Sequence, residues 1–367
     1  MVPSRATPPA AAARPRDDWR GRPPARRHDR RRLALGVGAF VLVAAGSVLV
    51  LARLGDLEAM ARRFEHASLA LIALAAAFEV LSFAGYVALT RIVFAPAAPR
   101  ITWTASLQIT LAGVVATRIV TAGGAGGLAL TAWALQAAGL DGRSTAARLS
   151  AFLVVLYSVY FAALALAGSG LATHALGAGA PRGLAVTGAA LGGLVVGLAL
   201  ATLLIPRDLE LRAHRAAARG GRLERLASQI APLPAVAREA VVLALGIARR
   251  RPVALAAALG WWAFDIAVLW ACFEMFGAAP PVGVLVLCYF LGQAAQVVPV
   301  PGGVGPVEGG MVAAFAACQV PVALALIAVL AYKTIATWLP AVPGTLAYLR
   351  LRHTVGAWRA AGTSGRS

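Results

Sequence analysis

One lysine, five histidines, three cysteines and fifteen acidic residues are spread over 367 positions, and each scarcity removes a class of protein. Only 13% of residues are charged, 60% are hydrophobic and the mean hydropathy is +0.76. A soluble domain carries roughly twice that share of charge, so a water-soluble enzyme is excluded. The cysteines, Cys272, Cys288 and Cys318, sit in apolar stretches with no CxxC pair and no neighbouring histidine. That pattern excludes a disulfide framework and a zinc site. No metal-ligand cluster and no nucleophile–base spacing is visible, so neither a cofactor nor an enzymatic activity is expected.

Arginine is what the chain has in plenty. Thirty-three arginines and Lys333 against 15 acids give a formal charge of +19. Ten arginines lie in 1–32, ten in 207–251 and four from Arg350 onward, where they flank apolar runs instead of forming a stripe. Flanking arginines act as cytoplasmic anchors and contacts to anionic headgroups, and the missing stripe argues against nucleic acid as a partner. Residues 1–32 are rich in Pro, Arg and Ala and lack large aliphatic side chains, so a disordered basic cytoplasmic tail is expected there. A second disordered tail is expected over 351–367. The arginine-rich, alanine-rich composition points to a GC-rich bacterial genome.

Uncharged or nearly uncharged runs occur at 33–52, 68–90, 101–120, 149–173, 183–205, 253–277, 282–300 and 311–349, the last interrupted by Lys333, Pro340 and Pro343. Most are close to the roughly 20 residues a helix needs to cross a bilayer. The polar stretch 205–253 reads as a basic helix followed by a short apolar surface helix over 233–248. Gly188, Gly192, Gly193 and Gly197 mark 183–205 as a closely packed helix.

If every run crossed once, the ten-arginine segment 207–251 would fall outside the cell, against the positive-inside bias. The glycine cluster TAGGAGG, 121–127, supplies the missing reversal by turning 101–140 into a helical hairpin. A second break, PVPGGVGPVEGG at 299–310, splits 282–319 in the same way. Each hairpin is followed by a full crossing, and an odd number of crossings separates them. The expected fold is therefore an all-α polytopic membrane bundle over 33–350. It would contain two inverted repeats, each a glycine-broken hairpin plus a full crossing, and both termini would be cytoplasmic. Broken backbone at membrane depth must be covered by protein or line a cavity, and in transporters such breaks meet at the substrate site.

An ionised group in hydrocarbon needs a partner, a cavity or a role. The candidates are Glu79, Arg118, Asp265, Glu308 and Lys333, with Glu274 near a helix end. Taking the turn at Val320, Glu308 lies 12 residues before it and Lys333 lies 13 after it. Both then sit roughly 18–20 Å from the turn on antiparallel helices and can meet. Lys333 either contacts an anionic group, with Glu308 holding or releasing it, or the two lock the hairpin to its neighbour. Gly302, Gly303 and Gly305 expose backbone N–H groups at a helix start, where anions or an acidic first-turn side chain are favoured. Arg118 either holds a phosphate, pairs with Glu79 or snorkels. Asp265, within WWAFDIAVLW, is either a proton or cation site or a structural partner of Arg118 or Lys333. Gln293 and Gln296 share a face leading into the second break and either line a polar path or bond between helices. Trp261, Trp262, Trp270 and Trp338 read as packing or interface aromatics.

The stretch VPVPGGVGPVEGGMVAAFAACQVPVALALIAVLAYKTIATWLPAVPG, 298–344, resembles the signature of the lysylphosphatidylglycerol synthase transmembrane-region, or flippase-like (UPF0104), family. The resemblance rests on the proline–glycine–glycine turn followed by Glu308, the small turn near Gln319 to Pro321, and Lys333 followed by Trp338 and Pro340. It implies a bacterial or archaeal inner-membrane protein that moves an anionic or aminoacylated lipid between leaflets. The family's first motif reads proline, basic residue, glycine–glutamate, whereas TAGGAGGLAL has Ala122 and Gly127 in place of the proline and glutamate. A soluble aminoacyltransferase domain is not expected after Arg350, so lipid synthesis by this chain alone is not expected either. Two functions remain: binding and translocating an anionic or polyprenyl-phosphate-linked lipid, or serving as a membrane partner for a separately encoded aminoacyl- or glycosyltransferase.

Overall fold

The computed structural model describes residues 68–119, 125–204, 232–297 and 305–364. The expected tail 1–32, the run 33–52, the basic helix after 205 and both glycine-rich tips lie outside these residues. The described chain is all-helical, with ten α-helices and no strand among the described residues. They are α1 (Leu69–Phe94), α2 (Trp103–Ile119), α3 (Ala125–Ala137), α4 (Gly142–Ala172) and α5 (Arg182–Ala201), then α6 (Pro232–Arg250), α7 (Val253–Phe276), α8 (Val282–Ala294), α9 (Pro306–Ala317) and α10 (Val322–Ser364). In hydrocarbon every backbone N–H and C=O must be satisfied within the segment, so long apolar runs fold as helices. Five of them, α1, α4, α5 with the 3₁₀ turn that follows it, α7 and α10, are long and apolar enough to cross a membrane. The order long helix, short-helix hairpin, long helix occurs twice, as α1, α2–α3, α4 and as α7, α8–α9, α10.

Close backbone approach sets the packing. The first helices of the two sequences, α1 and α7, run antiparallel along each other. At their crossing a Cβ on Gly85 would lie 2.7 Å from the Ala257 carbonyl oxygen. One turn earlier the Ser82 hydroxyl donates to the Trp261 carbonyl at 2.8 Å. Gly192 lets α5 approach the α4 backbone at Phe161 and Ala165 as the spacing suggested, and Gly188 makes room for Leu287 of α8, while Gly193 and Gly197 meet nothing within 4 Å. Trp262 Nε1 donates to the Leu156 carbonyl at 2.9 Å and so ties α7 to α4. The surface helix expected over 233–248 is α6, the most strongly amphipathic of the described helices, with Ala240, Val241 and Ala244 buried.

Each hairpin leans on the long helix of the other half, α2 on α10 and α8 on α4. Gly344 of α10 comes so near α2 that a Cβ would lie 2.8 Å from the Leu111 carbonyl oxygen. On the other side, the Tyr160 hydroxyl of α4 donates to the Phe290 carbonyl of α8 at 2.5 Å.

The end of the chain corrects one expectation. The residues from 351 onward, read as a disordered tail, continue α10 to Ser364. Arg350 ends the apolar run but not the helix, because one face still finds partners. Leu351 and Val355, four residues apart, are buried. Thr354 donates to Gln108 Oε1 at 3.0 Å, Arg100 donates to the Trp358 carbonyl at 3.1 Å, and the Arg359 guanidinium lies 5.5 Å from the Trp133 ring centre. With 43 residues α10 is longer than any other described helix. At 1.5 Å per residue it spans roughly 65 Å, about twice the hydrocarbon thickness.

Candidate functional site

Helix α9 starts at Pro306, directly after Gly305, whose φ of +119° is a conformation glycine adopts without strain. Proline suits the first helical position, since its missing N–H would have no helical partner there. Glu308 sits in the first turn and turns back, so that its Oε2 accepts from the Gly305 N–H at 2.6 Å. A carboxylate here also offsets the partial positive charge of the helix start. Its other oxygen, Oε1, lies 3.1 Å from Lys333 Nζ on α10, with side-chain exposures of 7% for Glu308 and 19% for Lys333. Counting residues from the turn near Val320 anticipated this meeting. One carboxylate therefore joins a helix start to the only lysine in the chain.

The residue before Lys333 opens a second polar cluster. The Tyr332 hydroxyl donates to Asp265 Oδ2 of α7 at 2.8 Å, and the Tyr289 hydroxyl of α8 donates to the same oxygen. Gln293 Nε2 donates to the Tyr289 hydroxyl at 2.9 Å, and Gln296 donates in turn to Gln293 Oε1. Polar contacts thus run from Gln296, in the 3₁₀ turn after α8, to an aspartate between α7, α8 and α10. Gln296 is exposed, while Gln293, Tyr289, Asp265 and Tyr332 are buried. The two glutamines bond along their own helix, and Tyr289 carries the connection across to α7. Glu79 of α1 is buried too, near enough to act electrostatically on Tyr332. Edge-to-face contacts of Trp262 with Tyr160, Tyr289 and Phe290 pack an aromatic wall beside this cluster.

Of the site residues expected from sequence, Lys333, Glu308, Gly305, Asp265 and Gln296 lie in this region. Asp265 accepts from two tyrosines, and the ion pair of Lys333 is with Glu308. Gly302 and Gly303 lie outside the described residues. Arg118 lies in the last turn of α2, and its side chain falls outside the described ones. Sequence reasoning passed over Tyr289 and Tyr332. Tyrosine in an apolar helix reads as a packing aromatic, but Tyr289, Gln293 and Gln296 follow an i, i+4, i+7 spacing that marks one polar face. It also missed that Cys288 and Cys318 bring their sulfurs within 3.7 Å across the second hairpin. Trp338 is largely exposed, as an interface aromatic would be.

The family described as Lysylphosphatidylglycerol synthase TM region matches residues 33–344. The chain belongs to that family. The match takes in both hairpins, the Glu308–Lys333 pair and the Asp265 cluster, and it confirms the resemblance carried by 298–344. None of the curated proteins compared with the chain matches it. With the family established, the long apolar helices are those of a multi-pass membrane protein.

Proposed function

We propose that this TM-region protein binds the anionic headgroup of a membrane lipid at Lys333 and carries it between leaflets, with Glu308 as the internal stand-in for that anion. The observation behind the reading is the 3.1 Å contact between Lys333 Nζ and Glu308 Oε1 at the start of a helix that follows a glycine-rich break. A lysine in a membrane helix needs a counter-charge. A phosphate oxygen offers the same one, and the adjacent helix start favours anions. Glu308 remains tethered to the Gly305 N–H when Lys333 exchanges partners, so the exchange leaves no ionised group adrift.

In this reading the two halves are inverted repeats, the membrane is the bacterial inner membrane, and both termini face the cytoplasm. The chain is a carrier and not an enzyme. The Asp265 cluster, connected to Gln296 through Gln293 and Tyr289, supplies polar groups next to Lys333. The competing reading makes the pair a lock between α9 and α10, in a membrane partner for a separately encoded aminoacyl- or glycosyltransferase.

Headgroup movement in proteoliposomes separates the two. Transfer of an anionic lipid would be followed by the accessibility of its headgroup to a membrane-impermeant reagent. Lys333→Ala is expected to slow transfer at least about tenfold, the cost of one lost charge contact, and Lys333→Arg to retain most of it. Transfer by Lys333→Ala and Glu308→Gln at the parent's rate, with helix content preserved, would leave only the lock.

A further inference from the structure

A groove of about 790 Å³ opens between the end of α1, the start of α4 and one side of α6. It shares no residue with the Glu308–Lys333 pair or the Asp265 cluster. Arg148, Arg238, Arg250 and Arg251 line it together with Glu239, four guanidiniums against one carboxylate. Val93, Val242, Leu243 and Ile247 make the rest of its lining largely aliphatic. Arg148 is fixed across the groove by donating from Nη1 to the Val93 carbonyl at 3.0 Å. Arg238 keeps its Nε buried with no hydrogen-bond partner. Glu239 neutralises none of these groups, since among the described residues no carboxylate stands in ion-pair contact with them.

The position of the groove narrows its occupant. Helix α1 ends at Phe94, α4 begins at Gly142 and α7 begins at Val253, two residues after Arg251. The groove therefore lies where three long apolar helices reach their polar ends, the level of lipid headgroups. Helix α6, amphipathic and carrying basic residues on its polar side, has the build of a helix that lies in the plane of that interface. A free phosphate would satisfy the guanidiniums but leave the aliphatic side wet. A zwitterionic lipid would cover that side but bring a cation among four others. An anionic phospholipid fits both sides, with its phosphate among the arginines and its glycerol and first methylenes against Val242, Leu243 and Ile247. A space of this size suits a headgroup with its glycerol.

We infer that this groove seats one anionic phospholipid and that the lipid fastens α6 to α1 and α4. The inference does not rest on the transport reading, because the groove is separate from Lys333. Native mass spectrometry of the full chain in mild detergent tests it, with phosphatidylglycerol, phosphatidylcholine or inorganic phosphate added. The parent is expected to retain phosphatidylglycerol in preference to phosphatidylcholine, and excess inorganic phosphate is expected not to displace it. Reversing two charges with Arg238→Glu and Arg250→Glu should cut the retained adduct at least about tenfold, given the strength of single arginine–headgroup attractions. Glu239→Gln, which removes the one opposing charge, should raise retention about two- to fivefold on the same scale. Lys333→Ala should leave in place the part of the adduct that the double reversal removes. Equal retention of phosphatidylcholine, displacement by inorganic phosphate, or loss in Lys333→Ala equal to that in the double reversal would each overturn the inference. So would unchanged retention in Glu239→Gln, a variant that leaves the apolar packing intact.

Discussion

Hairpin α2–α3 meets the long helix α10 through backbone proximity at Gly344 and the Thr354–Gln108 hydrogen bond, whereas hairpin α8–α9 meets the same helix through an ion pair whose carboxylate is buried. The backbone device is shared. In the first hairpin a Cβ on Gly127 would lie 2.7 Å from the Gly113 carbonyl oxygen, and in the second a Cβ on Gly292 would lie 2.8 Å from the Met311 amide. What differs is chemistry. The second hairpin carries an acid in its first helical turn and finds a cation on its neighbour, while the matching stretch of the first hairpin has Gly127 where the family pattern places an acid. The same order of elements thus occurs twice, once held by backbone approach and once with an ion pair added.

The contrast is sharpest at Lys333. Lys333→Ala leaves a buried carboxylate without its cation, and the expected loss is about 3–5 kcal/mol of stability. Lys333→Met combined with Glu308→Gln should recover most of that loss, as measured by thermal unfolding in detergent. If Gln108→Ala in the neutral hairpin proved equally costly, the distinction between the two would collapse. Leu351→Ala, which opens the contact holding α10 beyond the membrane, is expected to cost about 2–4 kcal/mol. That variant should loosen the first hairpin and leave the second intact, as read by hydrogen exchange over α2 and α9.

Gly292→Ala pushes a methyl group into the Met311 backbone and is expected to cost about 1–3 kcal/mol. Gly309→Ala, where nothing lies within 4 Å, should cost nothing and serves as the control in the same hairpin. Tyr160→Phe removes the second hydrogen bond to the Phe290 carbonyl and should cost about 1 kcal/mol, seen as a small downward shift in melting temperature.

The smallest effect lies at the entrance to α4. Asp141 is held below the usual carboxylate range, chiefly by its hydrogen bonds with Ser144 and also by the Arg143 N–H. A depressed folded value means that the stabilisation is present above the unfolded value and is lost as pH falls through the acid range, below about 4. Asp141→Asn keeps the cap and should remove that acid-side loss, as followed by melting temperature against pH.

Much of this architecture is legible from hydropathy and charge alone. The apolar runs mark the crossings, the glycine clusters mark the hairpins, and residue counting from Val320 brings Glu308 to Lys333. Each signal works because the hydrocarbon imposes one dominant cost, and the sequence must answer it in plain view. What escaped depends on side-chain direction. Tyr289 and Tyr332 point hydroxyls at Asp265, and nothing in an apolar run says which way a phenol faces. The last turns of α10 escaped for a different reason. Arg350 and Arg352 end the hydrophobic stretch, while the helix persists because Leu351 and Val355 need only one covered face.

Pro340 and Pro343 fall between Lys333, which the second hairpin grips, and Gly344, where the first hairpin begins to press. Each proline removes one rung from the hydrogen-bond ladder of α10 and crowds the carbonyl a turn before it. The two contacts on this rod are consequently separated by the stretch where its backbone ladder lacks two N–H donors. Replacing Pro340 and Pro343 by alanine would restore those rungs and is expected to stiffen the segment between the two hairpins.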